Sequence, residues 1–104
     1  MPILTRVDHL NVQVPPDREA EAIAFYRDLV GFKQLQKPDN LGPKGGHFCI
    51  SENPWYELHV GIARGTNSAD IDFKNTLRNH LAFQVEGLAD ARVKFEEAGV
   101  EIME

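Results

Sequence analysis

His9, Glu57, His59 and His80 are the residues of this chain whose types and spacing suit metal or proton chemistry. Each lies in a segment where apolar and polar side chains alternate, and in a strand alternate side chains face opposite ways. His9 shares a face with Asn11 and Gln13, against Leu10, Val12 and Val14. Trp55, Glu57, His59 and Gly61 oppose Tyr56, Leu58, Val60 and Ile62; His80, Ala82 and Gln84 oppose Leu81, Phe83 and Val85. His47, Cys49 and Ser51 oppose Phe48 and Ile50 in the same way. A plain wet sheet face carries Lys, Thr and Glu, whereas this set suits the lining of a concave pocket. Two imidazoles and a carboxylate form a common ligand set for a divalent metal, here Zn, Fe, Mn, Ni or Co. A lone strand histidine on a polar face is ordinarily a solvated side chain. Two at matched positions of a repeat, with a glutamate on the matching face, point instead to a metal or proton-transfer site. Glu57 is expected as a ligand and His59, two residues on, as a neighbour of the ligands or a substrate contact. The unperturbed pKa of an imidazole, ~6.5, suits proton transfer by His59.

The elements that must position these residues read in the order β-α-β-β-β, linker, β-α-β. Thr5–Val14 is a strand stopped by Pro15-Pro16, which cannot donate ladder hydrogen bonds. Asp17 is placed to cap a helix carrying Ile23, Tyr26 and Val30 on one broad apolar face, ended by Gly31. Phe32–Leu41 is extended and polar, followed by the turn chemistry of Gly42–Gly46. His47–Ser51 and Trp55–Ala63 are strands, 65–78 is a linker, His80–Val85 is a strand, and Leu88–Ala98 is a helix stopped by Gly99. Val100–Met103 opens one more strand. The core is expected from Leu10, Val12, Ile23, Tyr26, Leu29 and Val30, and from Leu81, Phe83, Leu88 and Phe95. Asp8–Val14 aligns with Asn79–Val85 at four identities in seven, and each copy is followed by a helix and a glycine stop. The order is therefore an internal repeat.

Other residues offer less. Cys49 reads as a small buried hydrophobe, Trp55 and Phe48 as packing residues, and Glu96-Glu97 as a solvated helix face. The Gly42–Gly46 loop carries Lys44 but precedes a strand and lacks the spacing of a phosphate-binding loop. At 104 residues, 42% of them hydrophobic, the chain is one small folded domain. A net charge of −5 argues against nucleic acid and anionic membrane as partners. The longest apolar run, Ala22–Tyr26, is far too short to span a bilayer. With one cysteine and no leader pattern, a cytoplasmic location is expected.

Val7–Val12, Ala24–Phe32, Tyr56–Val60 and Asn79–Val85 with Ala98-Gly99-Val100 together resemble the vicinal oxygen chelate superfamily. That group holds glyoxalase I, bleomycin-resistance proteins, extradiol dioxygenases, fosfomycin-resistance proteins and methylmalonyl-CoA epimerase. The resemblance covers nearly the whole chain. It implies an α+β fold of paired βαβββ modules around a divalent metal ion, with module one at about 1–64 and a partial module two at 79–104. Carried over by position, it implies His9, Glu57 and His80 as metal ligands, and Glu57 and His59 as the catalytic pair. The fourth ligand and about two strands of the second module would follow Glu104, so that module is expected to be incomplete. A homodimer is the expected way of covering it. The function implied is a metal-dependent lyase, isomerase or dioxygenase acting on vicinal oxygens of a small molecule. The rivals are a metal-free drug- or metabolite-binding protein of the bleomycin-resistance kind, and a catalytically silent remnant.

Overall fold

The computed structural model describes residues 3–72 and 80–102. The end of the expected linker, Asn79 of the repeat and Met103 lie outside the described residues. The chain divides into two units, Met1–Asp70 and Ile71–Glu104.

In the first unit, β1 (His9–Val14) has exposure alternating along its length, with Leu10, Val12 and Val14 on the more covered side. The strand is shorter than expected at its start, where Thr5–Asp8 makes no ladder. One α-helix capped by Asp17 was the sequence expectation, and the structure differs. A 3-10 turn, Pro16–Arg18, leads into α1 (Glu19–Ala24), which widens into π winding over Phe25–Val30. Pro15 and Pro16 have no N–H, and proline in the first turn starts the winding one step early. Asp17 is then inside the turn. Its carboxylate accepts hydrogen bonds from the Ser68 backbone N–H at 3.1 Å and from the Ser68 hydroxyl. Gly31 stops the winding as expected. Its φ of +89° is in the region that favours glycine, and its N–H donates to the Tyr26 carbonyl at 3.1 Å.

β2 is only Lys33–Leu35, followed by a 3-10 turn at Asp39–Leu41. β3 (Gly46–Glu52) and β4 (Trp55–Ile62) form a hairpin. The sheet order is β1-β4-β3-β2, with β1 parallel to β4 and the other pairs antiparallel. The register of the hairpin shifts between Cys49 and Ser51. Ser51 therefore pairs with Tyr56, on the apolar side, and not with the face of His47 and Cys49 as simple alternation predicts.

Burial is deepest on the apolar faces of the hairpin: Phe48 and Leu58 are 0% exposed and Val60 3%. Tyr26 reaches this layer, its ring 6.1 Å from Phe48 and stacked 6.4 Å from Phe32. Leu10, Val12, Ile23, Tyr26, Leu29 and Val30, expected as the core, are half-buried around it. The loop before β3 crosses β4 closely. A Cβ at Gly45, where φ is +77°, would lie 2.1 Å from the Val60 carbonyl oxygen. Only glycine satisfies both the conformation and the approach.

The second unit contains α2 (Leu88–Glu97), one residue shorter than expected. Gly99 ends it: its N–H donates to Glu96 and that of Val100 to Phe95, each at 3.0 Å. The expected strands at His80–Val85 and from Val100 onward are absent among the described residues. A strand exists only where a neighbour completes its ladder, and no described residue of this unit does so. Phe83 and Leu88, expected to be core, are 41% and 74% exposed.

Candidate functional site

Pairing of the strands stacks the polar face in register. His9 is opposite Glu57, Asn11 opposite His59, and Gln13 opposite Gly61 across β1–β4; His47 is opposite His59 and Cys49 opposite Glu57 across β3–β4. The glycine leaves room at the β1 end of this face. A Cβ there would meet the Gln13 amide nitrogen at 2.5 Å, and that amide donates to Asn11 Oδ1 at 2.8 Å.

Three imidazoles lie face to face. The His59 ring is 3.5 Å from that of His47, inclined by 5°, and 4.0 Å from that of His9, inclined by 18°. Glu57 closes the group. Its Oε1 is 3.0 Å from His59 Nε2, and its Oε2 accepts a 2.7 Å hydrogen bond from Trp55 Nε1. Trp55 is therefore a donor to the site, 41% exposed, and not the packing residue its type suggests. His9 Nδ1 is 3.0 Å from an oxygen of Asp8.

The charges fit a cation. Hydrogen bonds, first from Trp55 and then with His59, hold the Glu57 carboxyl below its ordinary range, so it is anionic at neutral pH. Burial, then the neighbouring His59 and Lys37, push His47 below its ordinary value and favour neutral imidazole. An anionic carboxylate and a neutral imidazole are the forms that bind a metal. Among the described residues, His47, Glu57 and His59 offer donor atoms all within 4.8 Å of one another. Donors on one ion at ~2.0–2.2 Å sit about 3.0–4.4 Å apart, and the His59–Glu57 distance of 3.0 Å already matches.

The structure thus brings Glu57 and His59 together, stacks His9 against His59, and adds His47, which the sequence reading placed on this face without giving it a role. His80 lies exposed in the second unit. The signal for His47 was the hairpin. Counting back from the Glu52–Trp55 pair puts Phe48 opposite His59, and the register shift moves His47 there instead. Cys49 is buried, as expected, its thiol 3.3 Å from the Ser51 carbonyl oxygen. Beside His47 and His59 a cleft of about 290 Å³ opens toward Lys37, Lys44 and Arg64. No helix among the described residues is long and apolar enough to cross a membrane.

The sequence matches the family model of the glyoxalase/bleomycin resistance protein/dioxygenase superfamily over residues 6–104. The fold is similar to that of a Bacillus anthracis protein assigned to the glyoxalase family, with a TM-score of 0.74 and 27% identity, over 97% of this chain and 75% of that one. It is also similar to the genomically encoded fosfomycin resistance protein FosX of Listeria monocytogenes, with a TM-score of 0.51 and 14% identity, over 95% of this chain and 74% of that one. No curated protein matches the sequence.

Proposed function

Because the chain belongs to the glyoxalase/bleomycin resistance protein/dioxygenase superfamily, we propose that it is a metal-dependent enzyme acting on vicinal oxygens of a small molecule, as a lyase, isomerase or dioxygenase. The observation that carries this reading is the convergence of His47, Glu57 and His59 donor atoms within 4.8 Å. Glu57 is the central ligand. It belongs both to this cluster and to the set the family resemblance implies, His9, Glu57 and His80. His47 and Glu57 would hold a divalent ion there, which would supply Lewis-acid chemistry toward the substrate oxygens.

The chain's own residues do the rest. Trp55 fixes one Glu57 oxygen and keeps the carboxylate charged. With His47 and Glu57 on the ion, His59, 18% exposed at its side chain and between two other rings, is the group placed to take or return a substrate proton. Glu57 Oε1 orients it through the 3.0 Å contact. His9 covers the other face of His59, with Asp8 on its Nδ1.

Elemental analysis of the purified protein before and after chelation tests the reading. We expect one divalent ion per chain, lost on chelation, with uptake abolished in Glu57→Gln. His47→Ala and His9→Ala then divide the two ligand sets, since only the true ligand lowers uptake sharply. No ion in the wild-type protein would favour a metal-free binding protein, and full uptake in all three variants would place the ion elsewhere.

A further inference from the structure

The cleft beside the histidines is lined by cations in an acidic chain. The protein carries 16 Asp+Glu against 11 Lys+Arg, yet the residues lining this cleft include Lys37, Lys44 and Arg64 and no carboxylate. Those cations come from separate segments: the stretch after β2, the glycine-rich loop before β3, and the residue after Ala63 beyond β4. The Lys37 ammonium donates to the Lys44 backbone carbonyl, which fixes one side of the mouth. Among the described residues, none of the three is paired with a carboxylate. Asn11, His47 and His59 line the same cleft. Its volume, about 290 Å³, is at the small end of the ~300–1,000 Å³ typical of ligand sites.

We propose that the ligand of this cleft is a small oxyanion, a carboxylic acid or a phosphate ester, whose charged group is held by Lys37, Lys44 and Arg64 while its other end meets His47 and His59. The proposal rests on the functional reading above only for which end reacts. Like-charged side chains left without counter-ions around a concave surface repel one another and focus a positive potential, and an entering anion relieves both. Arg64 brings a planar fork matched to two oxygens of one carboxylate or phosphate, and the lysines bring point charges. A neutral drug would offer these three cations no counter-charge while covering part of them from water, which disfavours it relative to an anion. The glycine-rich loop thus does not wrap phosphate with its backbone; it brings Lys44 to the rim.

The test uses metal-depleted protein, with binding followed by calorimetry at low and at physiological salt. The probes are inorganic phosphate, succinate and its uncharged analogue succinamide. We expect phosphate or succinate to bind, more weakly at higher salt, and succinamide to bind at least tenfold more weakly. Lys44 and Arg64 are both exposed, and the Lys44→Ala/Arg64→Ala double variant should lose at least tenfold in anion affinity with unchanged thermal stability. Arg64→Glu alone should do the same. Phosphate binding alone marks a phosphate ester as the ligand class, and succinate binding alone marks a carboxylic acid. Equal binding of succinamide, an unaffected double variant, or no binding of either anion overturns the proposal. Metal uptake, measured separately, should be intact in both variants. Its absence from the wild-type protein would remove the metal reading while leaving the anion site standing.

Discussion

Replacing Trp55 with Phe removes the indole N–H donor from the site and keeps an aromatic ring there. The bond lost is the 2.7 Å donation from Nε1 to Glu57 Oε2, which is also the largest cause of the lowered Glu57 pKa. A hydrogen bond to a charged group contributes ~1.5–3 kcal/mol. Trp55 is 41% exposed, so water replaces part of the loss and the lower end of that range applies. Two readouts follow. Carbon-detected titration of the Glu57 carboxyl should show its pKa rising toward the ordinary value of 4.5. A depressed carboxylate stabilises the fold above its unfolded-state pKa and loses that contribution as the pH falls through the folded value. The variant should therefore lose stability near neutral pH and lose less on acidification. Competition with a chelating dye should show metal affinity lower by about 10–100-fold, the usual consequence of removing a group that orients a ligand. An unmoved Glu57 titration would refute the hydrogen-bond argument. An unchanged metal affinity with a moved titration would refute Glu57 as a ligand.

Leu58→Ala empties the centre of the buried layer and should cost ~2–5 kcal/mol in urea unfolding, while Leu10→Ala, at a half-buried position, should cost clearly less. Gly45→Ala should lower the melting temperature far more than Gly42→Ala, because only the former drives a Cβ into the Val60 carbonyl. Bonds from Ser68 hold the Asp17 carboxyl below its ordinary 3.8, so that contribution is present above this value and vanishes as the pH falls further. Asp17→Asn should flatten the acid limb of melting temperature against pH, and an unaltered limb would remove Asp17 as its cause.

Alternation along a strand was enough to assign faces: His9, Glu57 and His59 share the polar side and Leu58 and Val60 the buried one, because a period of two holds wherever the strand runs without a bulge. Helix stops at Gly31 and Gly99 were legible for the same local reason. Three things were not. The hairpin register depends on an extra residue near Ile50, which no pattern of apolar residues marks, and it decides that His47, not Phe48, faces His59. Asp17 is a good cap by type, but Pro16 starts the winding before it and Ser68, 51 residues away, takes its oxygens. The strand pattern at His80–Val85 describes side-chain spacing only; a ladder needs a partner that the pattern does not supply. The family resemblance carried the fold further than any of these local signals, and it is confirmed over residues 6–104.

The donor cluster is local in the chain and the strand beside it is not. His47, Glu57 and His59 sit on one hairpin, whereas His9 arrives on β1 through a parallel pairing with β4 that closes a loop spanning His9 to Glu57. Closing a long loop is entropically slower than folding a hairpin. The carboxylate and two of its imidazoles are therefore expected to come together before β1 docks. Under the proposed metal reading, an ion that bound at that stage would lower the barrier to folding itself, so its addition should speed refolding and leave unfolding rates nearly untouched.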